Sequence, residues 1–233
     1  MRAANLLFNI SGGIRRWGWK FNDSLGICVP ASVEDLRTAK ATTARSTWRR
    51  VLYVLGFRPP GDFYTRVLYV QYLATLGEKP GPTMGVDPGS FLAWMKANGH
   101  IIEWANVPVL PGSSAADQAA QAGAQYRGAI LTINLTENMY ANDFYSRRPW
   151  GIDGNGGDVP LPTLSHEIAL VRTTESANVI ATWDRTKVMT LPCGDLTIRA
   201  IHVFLTVEDK ADPRFPAMLS AMQAAASLPG GRQ

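Results

Sequence analysis

Cysteine is scarce in this sequence: only Cys28 and Cys193 occur among 233 residues. Two cysteines do not make a disulfide framework, and with the three histidines they show no zinc-like pairing. Long apolar runs are lacking as well. No stretch approaches the roughly 18 residues of a membrane span. The run Leu6 to Ile10 is too short for a signal-peptide core and is broken by Asn9. These absences lead us to expect a soluble chain made in the reducing cytoplasm, a state compatible with later incorporation into a larger particle. Neither sign of charge dominates, with 23 basic against 19 acidic residues and a formal net charge of +4. So small an excess does not by itself indicate nucleic acid. Internal repeats are missing, and the Ala-rich segments are short.

Apolar residues make up 46% of the chain, enough for a hydrophobic core in one large domain or two small ones. The basic residues cluster. Arg37, Lys40, Arg45, Arg49, Arg50, Arg58 and Arg66 fall in a stretch where Asp62 is the only acid. The plain reading is a solvated helix face and loop; the sharper one is a docking surface for an acidic partner or a phosphate backbone. No aromatic-rich RNA-binding motif or zinc finger accompanies the cluster, so nucleic acid is not an expected partner.

Punctuation along the chain predicts its elements. Residues 1–21 read as an irregular arm anchored by Trp17, Trp19 and Phe21. Pro30 is tolerated only in the first turn of a helix, so a helix through Val33, Leu36 and Ala39 places Cys28 at or just before its N-terminus. Trp48, Val51, Leu52 and Leu55 suggest a second short helix. A third follows Asp62 and closes at Gly77, and Asp87-Pro88 opens a fourth that ends at Asn98-Gly99. Ile101, Ile102 and Trp104 fit a strand, Ser113 and Ser114 cap a helix over about 115–126, and 129–135 reads as a buried strand. Residues 136–162 read as a long irregular segment, of the kind that often lines a site. Four antiparallel strands are then expected over 166–173, 178–183, 187–190 and 199–207, before a final helix over about 214–227. Helices first and strands later argue for an α+β fold, with helices packed on a C-terminal antiparallel sheet. The expected organisation is an arm over 1–21, a domain over 22–210 and a C-terminal helix and tail over 211–233.

One constellation points to chemistry. A cysteine nucleophile needs its thiolate, and a helix N-terminus favours the anion through its partial positive charge and free N–H groups. A neighbouring imidazole takes the proton and later returns it. Cys28 fits the first role, and His166, which opens a strand after a Gly-rich loop, is the best base. His100 follows a helix end and looks exposed, and His202 sits within a strand, so both are weaker candidates. Asp153, Asn155 and Asp158 sit in a Gly-rich stretch with a faint likeness to a calcium loop, but Leu164 stands where the distal glutamate is needed, and neither metal nor cofactor is expected.

The run Asn22-Asp23-x-x-Gly26-x-Cys28, followed by a helix, a Gly-rich loop, His166 and Thr182-Trp183, resembles papain-like proteins of bacteriophage and prophage genomes. Those proteins show Asn-Asp-x-x-Gly-Asp-Cys, then Gly-Gly-His-Ala-Val, then Val-Thr-Trp-Gly, and the resemblance spans roughly residues 20–207. It implies a papain-like fold with Cys28 facing His166, an oxyanion-binding amide at Asn22, and a third triad member 16 to 18 residues after His166. Asp184 is chemically the better partner for the imidazole, and Thr182 holds the position closer to papain's own asparagine. Three departures stand out: Ile27 replaces the family's aspartate, Leu164-Ser165 replaces the paired glycines, and Glu167 replaces the small residue after the histidine. The resemblance implies a cysteine peptidase or amidase acting on a peptide or protein substrate. The alternative is a catalytically degenerate papain-like fold serving as a structural virion protein, with other virion proteins as partners. A host-interaction protein made during infection is a third reading.

Overall fold

A computed structural model describes residues 6–10, 17, 26–43, 61–81, 84–141, 148–152, 158–182 and 185–226. The expected short helix around Trp48, the centre of the Gly-rich loop, and Asn22, Trp183 and Asp184 lie outside the described residues. Helix α1 (Cys28–Thr43) opens the fold, followed by α2 (Gly61–Thr75) and α3 (Pro88–Ala97). Pro30 falls in the first turn of α1, where backbone N–H groups have no intrahelical partner. Asp87 caps α3, its carboxylate accepting from the Ser90 N–H at 2.7 Å.

Six strands form one sheet, in the order β1 (Glu103–Val107), β6 (Ile198–Leu205), β2 (Ala129–Thr136), β3 (Pro160–Thr173), β4 (Ala177–Thr182), β5 (Arg185–Thr190). Every neighbouring pair is antiparallel. Helices α4 (Ala115–Tyr126), α5 (Glu137–Ala141), α6 (Leu191–Thr197) and α7 (Phe215–Ala226) complete the fold, with a short 3-10 turn at Val207–Ala211. The architecture is α+β, as the helix-then-strand order implies.

The sheet is buried on both faces, so its strands alternate between two cores. Ile130, Ala169, Val171, Ala181 and Phe204 face the helices α1 to α3. Leu131, Ile133, Ile168, Leu170, Ile180, Ile201 and Val203 face the core built with α4, α5 and α6. Met218 and Met222 of α7 belong to that second core. The N-terminal arm packs on the sheet where it is described: the Ile10 N–H donates to the Val171 carbonyl at 2.9 Å, and the Phe8 N–H to Thr173 Oγ1 at 3.1 Å.

Some expectations need correction. The segment 136–162 is not wholly irregular, because α5 follows β2 directly and β3 already begins at Pro160. Helix α6 was not expected; it is seven residues long and its N-cap, Thr190, makes no side-chain capping bond. His100 is half-buried rather than exposed, with the Tyr64 hydroxyl 3.1 Å from its Nδ1 and its ring against Trp94.

One polar tie fixes α1. Lys40 is fully buried near the helix's C-terminal end, and its ammonium donates to the Tyr126 and Phe204 carbonyls at 2.9 and 2.7 Å and to Asp209 Oδ2 at 2.8 Å. Three acceptors satisfy all three of its protons. Arg127, the left-handed cap of α4 (φ 60°), donates to the other Asp209 oxygen at 3.0 Å.

Candidate active site

Cys28 begins α1 as the sequence predicts, half-buried and with its side chain against the core under α1 to α3. The glycine two residues before it has a physical reason. A Cβ on Gly26 would stand 2.8 Å from the Met84 carbonyl oxygen, so only glycine lets the chain pass there. The Tyr69 hydroxyl holds that same carbonyl at 2.7 Å. Burial pushes the Cys28 thiol up to about 11, with the charge of Glu167 adding to the shift and backbone hydrogen bonds at Glu167, Val29 and Cys28 opposing it. The resting group is therefore a thiol, not a thiolate.

The structure does not bring His166 to Cys28. The ladder between β2 and β3 runs without a bulge from Ala129↔Leu170 to Asn134↔Ser165. His166 consequently shares the face of Ile168 and Leu170, while Glu167 shares the face of Ala169. The expectation of a Cys28–His166 meeting is corrected by strand parity: the sheet itself stands between them. His166 does meet Thr182, its Nε2 lying 3.3 Å from Thr182 Oγ1. Thr182 is buried on the face of Ile180, so the pair forms within the second core. Burial pulls His166 down to about 3, which keeps it neutral.

Glu167 lies beside Cys28: its backbone is a hydrogen-bond partner of the thiol, and its charge acts on it. Its carbonyl accepts from the Ser32 hydroxyl of α1 at 2.9 Å, which fixes β3 against the helix beside the thiol. Its carboxyl is the first member of a polar chain. Thr132 Oγ1 lies 2.9 Å from Glu167 Oε2 and 3.2 Å from His202 Nε2, and His202 Nδ1 lies 2.5 Å from Asn106 Oδ1. The four side chains come from β3, β2, β6 and β1, which are consecutive in the sheet. Register explains the alignment: Thr132 is directly opposite Glu167, Asn106 is directly opposite His202, and His202 is opposite Ile130, one same-face position from Thr132.

Burial pushes Glu167 up to about 8, with the Thr132 hydrogen bond opposing and the Asp87 carboxylate adding to the rise. Burial pulls His202 down to about 4, with Asp87 opposing. A threonine hydroxyl has one proton, so with Asn106 Oδ1 accepting from Nδ1–H, two arrangements satisfy the chain. One is a carboxylate with an imidazolium; the other is a carboxylic acid with a neutral imidazole. The opposed shifts favour the second at neutral pH.

Cys28, Glu167, Thr132, His202 and Asn106 all line one cavity of about 580 Å³. Apolar walls come from Val29, Val86, Val107 and Ile201, and Asp87 and Arg199 stand among the lining residues. His166 does not line it. Among the described residues no cluster of three or more His, Cys, Asp or Glu has the arrangement of a metal site. Cys193 is buried against Met139, with its thiol pushed up to about 12, chiefly by burial.

Sequence reasoning missed Asn106, Thr132 and Glu167 and ranked His202 below His166. A signal was present: each is a polar residue at an inward position of a mostly apolar strand. No helix among the described residues is long and apolar enough to cross a membrane. No family model matches the chain, and neither a curated protein nor a solved structure does.

Proposed function

We propose that the chain is a cysteine hydrolase of peptide or amide bonds, of the papain-like kind encoded by phages, with Cys28 as nucleophile. One observation carries this reading. The thiol on the tip of α1 opens into the same cavity as a carboxyl and an imidazole, two groups able to take its proton and return it. Because the thiol is held protonated, the proton must leave as the sulfur attacks. The Cys28 sulfur bonds to the carbonyl carbon, its proton passes to the cavity's acid–base groups, and the C–N bond breaks as the leaving amine takes a proton from them. Water then attacks the thioester, yielding the acid and the free thiol.

The test is acylation of Cys28 by a peptidyl p-nitrophenyl ester, with Cys28→Ala as control and buried Cys193 as internal reference. The expected result is a burst of nitrophenol from the unaltered chain, lost in Cys28→Ala and slowed on the order of a hundredfold in His202→Ala. Acylation no faster than that of a small thiol of the same pKa overturns the proposal.

A second reading is favoured by the raised thiol pKa and the turn of His166 away from the cavity. In it, the chain keeps this architecture as a structural component of a phage particle and turns nothing over. Absence of a burst, together with stoichiometric recovery from purified particles, is its expected signature.

A further inference from the structure

We propose that the chain Glu167–Thr132–His202–Asn106 is a proton relay laid across four strands, which carries the Cys28 proton to His202 and is set in one direction by Asn106. This inference deepens the hydrolase reading and rests on it for its role in catalysis, though not for its existence as a chain.

The geometry gives each member a task. A protonated carboxyl can accept a proton on one oxygen while releasing its own from the other. Glu167 Oε2 faces the Thr132 hydroxyl, which in turn faces His202 Nε2. When the thiol proton enters at Glu167, the Glu167 proton moves to Thr132, and the Thr132 proton moves to His202. One proton has then left sulfur and one has arrived on the imidazole, with Glu167 and Thr132 restored to their starting forms. Asn106 Oδ1 accepts from Nδ1–H, which leaves Nε2 as the receiving atom. Asn106 is thus a positioning residue. The return path runs in reverse and delivers the proton to the leaving amine.

The surroundings hold the resting chain neutral, and the imidazolium forms only as the sulfur attacks. Glu167 and His202 are each more than nine-tenths buried. Among the described residues that line the cavity, the other charged and titratable groups are the Cys28 thiol at the start of α1, Asp87 at the cap of α3, and Arg199. Asp87 is exposed and opposes charge on Glu167 while favouring it on His202, so it assists arrival of the proton at the imidazole.

Two readouts on the full chain test this. The first is NMR titration of the His202 ring nitrogens and the Glu167 carboxyl carbon. The expected result is that the His202 signals follow the Glu167 step near pH 8. The coupling should disappear in Thr132→Val and return in Thr132→Ser, with the amide spectrum of each variant showing an intact fold. His202 signals indifferent to that step, or still coupled to it in Thr132→Val, overturn the relay. The second readout is the burst from a peptidyl p-nitrophenyl ester. Thr132→Val should slow it at least about tenfold and Thr132→Ser about twofold or less. An undiminished burst in Thr132→Val overturns the catalytic role. If the unaltered chain gives no burst, the hydrolase reading fails by itself, and the titration still decides whether the proton path exists.

Discussion

His166 and Glu167 are adjacent in sequence and stand on opposite faces of one sheet, His166 with Thr182 in one core and Glu167 beside Cys28 in the cavity. The two should respond to mutation in opposite ways. His166→Ala should leave the rate of Cys28 alkylation by iodoacetamide unchanged, while lowering stability by about 1–3 kcal/mol through the lost buried group. Glu167→Gln should raise the alkylation rate several-fold at pH 9, because the carboxylate charge that adds to burial in holding the thiol protonated is gone. Mass-spectrometric rates at Cys28 in the two variants check both statements.

Stability should pass through a maximum near pH 6.5. Glu167 titrates higher in the folded chain, near 8, than its unfolded 4.5, so its contribution is complete below 4.5 and is lost as pH rises to 8. His166 and His202 titrate lower, near 3 and 4, than their unfolded 6.5, so theirs is complete above 6.5 and is lost as pH falls. Between 4.5 and 6.5 the unfolded chain binds up to two more protons at His166 and His202 and one fewer at Glu167. Stability there rises with pH by on the order of 1 kcal/mol per unit. Between 6.5 and 8 only the Glu167 effect acts, and stability falls. Urea midpoints across pH should trace this shape, and Glu167→Gln should flatten the alkaline limb.

Lys40 and Asp209 meet with neither side chain reaching solvent. Lys40→Ala should cost about 3–5 kcal/mol, since it leaves two carbonyls and a carboxylate short of a donor. Lys40→Met keeps most of the volume but not the donors and should be nearly as costly. Denaturant unfolding of the single variants and of Lys40→Met/Asp209→Asn measures the coupling.

Gly128 follows α4 with φ 106°, and a Cβ there would fall 2.2 Å from Leu36 Cδ1 and 2.8 Å from Ile10 Cδ1. Gly128→Ala combines backbone strain with a clash against the helix that carries Cys28. A loss of about 2–4 kcal/mol is expected in thermal or urea unfolding.

Much of the fold was legible because its signals are local. Asp87-Pro88 and Ser114 announced α3 and α4 through capping chemistry, and Pro30 placed Cys28 on a helix tip. The partner of the thiol was not legible. A shift of one residue reverses the face of every side chain on a strand, and the sequence holds two plausible polar residues side by side at 166 and 167. The relay is harder still to read, because its members lie at 106, 132, 167 and 202 and meet only through strand pairing. Neither α5 nor α6 reaches eight residues, too short for periodicity to distinguish from loop.

Helix α1 is pinned at two points: Ser32 holds it to the Glu167 carbonyl, and Lys40 spends all three ammonium protons on groups from α4, β6 and the turn beyond. A slide of one helical turn, about 5.4 Å, would strand a bare cation in a dry interior. The Cys28 end of the helix is thereby carried on a fixed post, and any widening of the cavity falls to its other lining residues, among them Gly85, Val86 and Pro108.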